Sequence, residues 1–327
     1  MCNILFDYSI ISGYALFRIP GLVTTARGTV LAYCEARRGD SDWAEIDILL
    51  RRSTDGGRVF SAPVVLASGT AMNKTVNNPV MIAGRDGTAH FLYCVEYGVE
   101  ARDGGVFYRR SADDGVTWSE PRNISAMTAP ELRNVFATGP GHGIALADGR
   151  LFVPCWTVLK RHGQPADSHH PGTVCALTSS DGGDTWRIAS VVPNGAATDP
   201  NETAAAQLPD GTVVLNIRDG DTHSRCYSVS ADGNCFSPIA ALPELQDPIC
   251  CAGMIETGGR LYLTHCRNRL LRRNLTLAQS ADGVHWQKVQ VVDPGDAGYS
   301  DLTVNDNKLL ILYEKGKNLL MEELTVS

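Results

Sequence analysis

The stretch Ser111-Ala112-Asp113-Asp114-Gly115-Val116-Thr117-Trp118 decides the fold, because close variants of it return along the chain. Its pattern is Ser-x-Asp-x-Gly-x-x-Trp. An Asp in such a segment accepts hydrogen bonds from its own turn, the Gly adopts a positive φ, and the aromatic residue packs against neighbouring strands. The motif therefore predicts a hairpin turn in which the aspartate is structural rather than catalytic.

Five copies of this motif give the chain its period. The other copies are Ser179–Trp186, Ser53–Phe60 with Phe in place of Trp, and the shorter Ser230–Phe236 and Ser280–Trp286. Successive aspartates are 58, 68, 51 and 50 residues apart, which is the length of a four-stranded propeller blade. At this spacing 327 residues provide about six blades.

The remaining segments agree with an all-β fold. Short apolar runs such as Thr29–Cys34, Ala89–Tyr93 and Arg150–Pro154 read as strands, and no long amphipathic helix or linker interrupts them. We predict an all-β, six-bladed β-propeller forming a single domain over residues 1–327. The sixth blade is expected to combine the two chain ends, with Leu309–Tyr313 supplying strand residues.

Charge and hydrophobicity limit the kinds of binding partner that suit this chain. The net charge of −7 and the pI near 5.6 argue against nucleic acid, whose binders usually carry a basic face. No apolar run approaches the roughly 18 residues that span a bilayer, so no membrane partner is expected.

The ten cysteines include no CxxC pair or zinc-type spacing, and no signal peptide is evident. A cytoplasmic location is expected, although secretion or a periplasmic location stays open if an export signal was removed. The sequence leaves the oligomeric state unknown.

Three arginines far apart in the chain lie in recognisable local patterns. They are Arg18 in Phe17-Arg18-Ile19-Pro20, Arg218 in Asn216-Ile217-Arg218, and Arg272 in Arg272-Arg273-Asn274-Leu275-Thr276. Together with the five copies of the Ser-x-Asp-x-Gly-x-x-Trp motif, these patterns resemble the sialidases (exo-α-sialidases, neuraminidases) of the bacterial type. In that family the repeated motif is called the Asp-box, or BNR repeat, and we use the name Asp-box below. In that family three arginines clamp the carboxylate of sialic acid, a task that suits the planar, permanently charged guanidinium. Arg273 stays an alternative to Arg272, because neighbours on a strand point to opposite faces.

The same resemblance implies a nucleophile and its base. Gly298-Tyr299-Ser300-Asp301-Leu302 is similar to the family segment that carries the nucleophilic tyrosine, and Glu314 then corresponds to the glutamate that orients Arg18. The activating base corresponds to Glu202. It precedes Arg218 by 16 residues across an Asp-Gly turn, a spacing that predicts a hairpin with both side chains in one pocket.

The general acid is expected in the segment Cys34–Asp47. Asp42 fits the family loop best, with Arg37 as its companion, while Asp40 and Asp47 stay open as alternatives. A general acid that works near neutrality needs a raised pKa, which burial of its carboxyl can provide. Burial beside the neighbouring Trp43 would supply it, and ordinary packing is the alternative role for Trp43.

These expectations define a retaining exo-α-sialidase that acts through a tyrosyl-enzyme intermediate on sialylated glycans. The resemblance implies no metal and no cofactor. A trans-sialidase and a sialidase specific for the deaminated sialic acid KDN are alternatives among enzymes. A non-catalytic carbohydrate-binding propeller is the alternative from another class, and linkage preference is left undetermined.

Overall fold

The computed structural model describes residues 3–72, 74–96, 105–128, 133–159 and 170–325. Nearly all regular structure in these ranges is β-strand. In chain order the first strands are β1 (Asn3–Phe6), β2 (Leu16–Thr24), β3 (Val30–Arg37), β4 (Ile46–Ser53), β5 (Val64–Ser68), β6 (Val76–Ala83), β7 (Ala89–Val95), β8 (Gly105–Ser111), β9 (Arg122–Asn123), β10 (Arg133–Thr138), β11 (Gly141–His142), β12 (Ile144–Ala145) and β13 (Leu151–Leu159). The others are β14 (Thr173–Ser179), β15 (Arg187–Val191), β16 (Pro200–Gln207), β17 (Val213–Asp219), β18 (Ser224–Ser230), β19 (Ala240–Gln246), β20 (Gly253–Thr257), β21 (Arg260–Cys266), β22 (Arg273–Ser280), β23 (Trp286–Asp296), β24 (Ser300–Asn305), β25 (Lys308–Lys315) and β26 (Asn318–Thr325).

The strands form six antiparallel meanders, so the sequence prediction of a six-bladed β-propeller is confirmed. From the centre outward, the blades are β2–β5, β6–β9, β10 with β13–β15, β16–β19, β20–β23, and β24–β26 with β1. The first strand of the third blade is interrupted: β12 continues its pairing with β13, and β11 pairs in parallel with β6 of the neighbouring blade. No helix in the described ranges has the length and hydrophobicity of a membrane span.

The sixth blade closes the ring with both ends of the chain, as predicted. Strand β1 pairs with β26, and Asn3 lies opposite Met321. The apolar run Leu309–Tyr313 lies within β25. This blade lacks an Asp-box because its third and fourth strands come from opposite chain ends, so no hairpin turn joins them.

Hydrophobic packing lies between blades, because both faces of each sheet are covered by neighbours. Six apolar clusters lie among the described residues, and each is formed mainly by two adjacent blades. Between the first two blades, for example, Tyr33 and Ile48 pack with Met81 and Phe91. Burial on both faces explains why the strands read as continuous apolar runs rather than strict alternation.

The Asp-boxes form hairpin turns between the third and fourth strands of five blades. In the second blade, the Asp113 carboxylate accepts hydrogen bonds from Ser111 Oγ and from the Thr117 amide, both at 2.8 Å. Hydrogen bonds from Thr117 and Ser111 lower the pKa of Asp113 to about 2. Gly115 has a φ of 80°, and Trp118 packs edge-on against Phe91. The box aspartate therefore holds the turn.

Strand direction gives the propeller two distinct faces. The Asp-boxes occupy one of them, here called the box face. The opposite face carries the starts of the first and third strands of the blades. It includes the starts of β2, β16 and β24, and we call it the site face.

Candidate active site

The sequence-predicted residues converge at the centre of the site face, around a cavity of about 200 Å³. Arg18 lies on the innermost strand β2 and Glu202 on the innermost strand β16, while Tyr299 directly precedes β24. The lining residues are Arg18, Ile19, Arg37, Asp42, Asn77, Asn78, Trp156, Glu202, Arg218, Arg272 and Tyr299.

Tyr299, Glu202 and Arg218 form the most tightly connected group. The Tyr299 hydroxyl donates to Glu202 Oε1 at 2.8 Å. Arg218 Nη1 lies 2.6 Å from the Tyr299 hydroxyl and also donates to Glu202 Oε2. Glu202 and Arg218 face each other across the β16–β17 hairpin, where Thr203 pairs with Ile217. The predicted hairpin geometry is therefore present.

The phenol of Tyr299 is buried among charges of both signs. Burial raises its pKa well above the ordinary value, and Glu202 adds to that rise, while Arg218, Arg272 and Arg18 oppose it. The guanidinium carbons of Arg18 and Arg272 lie 5.0 and 5.1 Å from its ring centroid. Tyr299 is therefore a neutral phenol at neutral pH, with a carboxylate in place to accept its proton.

Glu314 holds Arg18 in position through hydrogen bonds. Its Oε1 accepts hydrogen bonds from Arg18 Nε at 3.1 Å and from the Ile19 amide at 3.0 Å. Its Oε2 accepts the Tyr299 amide at 3.1 Å. The Arg18–Glu314 pair expected from the sequence is present, and the same carboxylate also fixes the backbone of the tyrosine. Ile19 has a φ of 56°, a strained conformation for a β-branched residue.

The three arginines remain cations in this setting. Burial opposes the charge of Arg18, but Glu314 outweighs it and raises the pKa. Glu202 has the same effect on the pKa of Arg218. Three positive groups around one small cavity suit an anionic ligand.

The ambiguity between Arg272 and Arg273 is resolved by position. Arg272 lines the cavity, and its Nη2 donates to the Ile249 carbonyl at 2.8 Å. Arg273 begins β22, is exposed, and does not line the cavity. The structure thus brings Arg272, not Arg273, to the other site residues.

Among the three candidate aspartates, only Asp42 lines the cavity. Its Oδ1 accepts Arg37 Nη1 at 2.5 Å and lies 3.8 Å from Arg18 Nη1. Asp40 is exposed in the same loop. Asp47 is buried within the first blade and accepts the hydroxyls of Tyr14 and Ser68, each at 2.8 Å.

The expectation that Trp43 buries Asp42 is wrong. The Asp42 side chain is 59% exposed, and Trp43 is itself half exposed. Both lie on the turn between β3 and β4, which leaves the sheet and projects from the site face.

Sequence reasoning missed two supporting residues. Glu35 is fully buried and accepts Arg37 Nε at 2.9 Å and Nη2 at 2.6 Å, as well as the Asn78 amide at 2.9 Å. Burial raises the pKa of Glu35, against the effect of Arg37. Asn77 is buried and donates to the Asp42 carbonyl at 3.1 Å. The two-residue strand period between Glu35 and Arg37 was a usable signal for a shared face, whereas nothing local pointed to Asn77.

A second cavity, of about 240 Å³, lies on the box-face side of the central channel. Its polar side chains are largely bonded within the fold: Gln207 binds the backbone at Ala147 and Gly211, and Thr303 binds Thr24. It contains no counterpart of the arginine cluster. In the part of the chain that the structure describes, no group of three or more His, Cys, Asp or Glu side chains could hold a metal ion.

Comparison with known proteins agrees with this geometry. The family model described as "BNR repeat-like domain" matches residues 28–311. A sialidase of Bacteroides fragilis is 30% identical over 92% of this chain and 60% of its own length. The solved Hadza microbial sialidase Hz136 has a TM-score of 0.86 at 26% identity, covering all of this chain and 68% of that one. The leech intramolecular trans-sialidase has a TM-score of 0.82 at 17% identity, over 99% of this chain and 70% of its own, which shows the shared fold.

This chain spans about three fifths of the length of the B. fragilis relative. On its repeats, its fold and these relatives, the chain belongs to the sialidase family with BNR repeats.

Proposed function

We propose that this chain is a retaining exo-α-sialidase, which releases terminal sialic acid from glycans through a covalent tyrosyl intermediate. The observation that carries the proposal is the 2.8 Å hydrogen bond from the Tyr299 hydroxyl to Glu202 beneath the three arginines. Membership of the sialidase family supports it.

Binding would begin with the substrate carboxylate. Arg18, Arg218 and Arg272 offer guanidinium groups around the cavity, and a carboxylate matches their planar donors. Because this carboxylate sits on the reacting carbon, an anionic nucleophile would be repelled at close range. A neutral phenol avoids that repulsion, and the raised pKa of Tyr299 keeps it neutral.

Two proton transfers would accompany glycosidic cleavage. Tyr299 Oη bonds to the anomeric carbon as its proton passes to Glu202. The bond from that carbon to the leaving oxygen breaks, and Asp42 protonates this oxygen. In the second half, Asp42 takes a proton from water, the water oxygen bonds to the anomeric carbon, and Tyr299 leaves with the proton from Glu202. Two inversions at one carbon give net retention.

Transfer to another sugar is a second candidate within the same chemistry. The observation that favours it is Trp43, half exposed on the turn directly after Asp42, where the leaving or accepting sugar would lie. Aromatic rings are suited to stacking on sugar faces through their apolar surface. Product ratios in the presence of excess lactose would separate transfer from hydrolysis.

The first test is turnover of an aryl α-glycoside of N-acetylneuraminic acid by the wild type and by Tyr299→Phe. We expect wild-type turnover, at least a thousandfold loss of kcat/KM in the variant, and an α-anomer as the first product seen by proton NMR. A β-anomer would refute retention, and an active variant would refute the nucleophile. If the wild type fails on this substrate and on the deaminated analogue, yet binds sialic acid, the non-catalytic propeller replaces the proposal.

A further inference from the structure

The loop that joins β21 to β22 has an unusual surface composition. Its sequence is Arg267-Asn268-Arg269-Leu270-Leu271-Arg272-Arg273, and we call it the Arg-Leu loop. It lies on the site face, and its Arg272 reaches into the cavity. Leu270 is 70% exposed and Leu271 58% exposed. Two adjacent leucines therefore face solvent directly beside the candidate active site.

Hydrogen bonds hold this loop in shape. Asn268 Oδ1 accepts the amides of Leu270 and Leu271, each at 2.9 Å. Arg267 and Asn274 exchange two bonds of 3.0 Å, one through the Asn274 side chain. The Arg273 amide donates to the Leu271 carbonyl at 2.8 Å. The leucines are thus presented outward by a formed turn, and exposure of two apolar side chains is unfavourable unless something covers them.

The charged residues of the loop itself are all arginines. Arg267 and Arg269 are exposed, and neither forms an ion pair with any residue that the structure describes. The loop contributes four positive charges to a chain whose net charge is −7. An apolar tip flanked by unpaired arginines is complementary to a surface that is anionic outside and apolar within, which describes an anionic bilayer.

A second loop on the same face shares this character. The side chains of Tyr8 and Ile10 are exposed on the loop that joins β1 to β2. Strand β2 carries Arg18. The Lys317 ammonium lies 5.3 Å from the Tyr8 ring centroid. The site face thus presents apolar and basic groups from two loops, both next to strands or side chains of the cavity.

We propose that the Arg-Leu loop docks the site face onto anionic phospholipid bilayers, with Leu270 and Leu271 entering the interface and Arg267 and Arg269 contacting lipid phosphates. This departs from the sequence-based expectation of no membrane partner. Docking would hold the cavity over the headgroups and so favour sialylated glycolipids as substrates, a consequence that rests on the proposed function.

The test measures sedimentation of the protein with vesicles of phosphatidylcholine alone, or with an equal part of phosphatidylserine, at about 0.15 M salt. We expect binding only to the vesicles that contain phosphatidylserine. The double variant Leu270→Ser, Leu271→Ser should bind at least about tenfold more weakly, and Arg267→Gln, Arg269→Gln roughly tenfold more weakly. The matched control is Val59→Ser, Val116→Ser, because these valines are 69% and 60% exposed on the box face; it should bind as the wild type does.

Each outcome decides the proposal. Absence of wild-type binding, or equal binding by the leucine variant, overturns it. Self-association that the leucine variant abolishes, without vesicle binding, would replace the bilayer by a second copy of the chain. Turnover of a soluble aryl sialoside should be unchanged in both loop variants, while turnover of a vesicle-borne sialylated glycolipid falls. Vesicle sedimentation needs no turnover, so failure of docking and failure of the proposed function are distinguished.

Discussion

The hydroxyl of Tyr299 donates a 2.8 Å hydrogen bond to Glu202, although the two residues are 97 positions apart and belong to different blades. The pair links a phenol whose pKa is raised by burial to a carboxylate that can take its proton. A buried phenol does not ionise on its own near neutrality, so a nucleophilic role for Tyr299 depends on that carboxylate.

Replacement of Glu202 by glutamine should therefore remove the base and keep the shape. We expect kcat/KM for an aryl sialoside to fall by about 10²- to 10⁴-fold, with affinity for free sialic acid weakened by less than about tenfold. Steady-state kinetics and calorimetry measure the two quantities. The control is Glu244→Gln on an exposed edge strand, which should behave as wild type. A Glu202→Gln enzyme with more than a tenth of the activity would contradict the base role.

Three aspartate variants should give three different results. Asp42→Asn should impair substrates with a poor leaving group, such as sialyllactose, about a hundredfold more than an aryl sialoside, because only the poor leaving group needs a proton. Asp40→Asn should leave both activities unchanged. Asp47→Asn should lower the melting temperature, because Asp47 accepts bonds from Tyr14 and Ser68. Equal losses on both substrates for Asp42→Asn would argue against its role as the acid.

Gly298→Ala should disturb the site through a close approach. A Cβ at Gly298 would lie 2.2 Å from Glu314 Oε2, the atom that accepts the Tyr299 amide. Displacement of Glu314 would move both Arg18 and Tyr299, so we expect roughly a hundredfold loss of kcat/KM. Gly39→Ala is the matched control, since its Cβ would meet only Ala44 at 3.6 Å. Activity within a factor of about three of wild type in Gly298→Ala would show that the close contact is relieved without consequence.

Acid should destabilise the fold through two buried histidines. Burial lowers the pKa of His265 to about 3 and that of His90 to about 4. Below the unfolded value of 6.5, the unfolded chain binds protons that the folded protein excludes, so stability falls as the pH falls from 6.5 toward these values. Each histidine accounts for about 2 kcal/mol of that loss at about pH 5. His142 acts in the opposite direction, because its partner Asp301 raises its pKa despite burial.

Urea unfolding of the wild type and of His265→Leu between about pH 5 and pH 7.5 tests this linkage. Relative to its own value at the higher pH, the free energy of unfolding of His265→Leu should fall by about 2 kcal/mol less on acidification than that of the wild type. Parallel curves for the two proteins would refute the contribution of His265.

Much of this molecule can be predicted from local sequence. Each Asp-box encodes its own turn through hydrogen bonds within a few residues, as at Ser111, Asp113 and Thr117. Repetition of that turn fixes the blade length and so the number of blades. Glu202 and Arg218 are also a local pair, because the tight β16–β17 hairpin places them opposite each other. These features depend on contacts close in sequence, which a short pattern can record.

Only the tertiary structure decided the features that depend on where loops point. Asp42 rather than Asp40 or Asp47 faces the cavity because of the course of the β3–β4 turn, which Asn77 holds from the next blade. Arg272 rather than Arg273 turns inward because it bonds to Ile249 on another segment. These choices rest on contacts between segments that are distant in sequence, and no periodicity along the chain specifies them. The sequence by itself determined the repeated turn and the residue types of the site, and the closed ring of blades determined which of those residues meet.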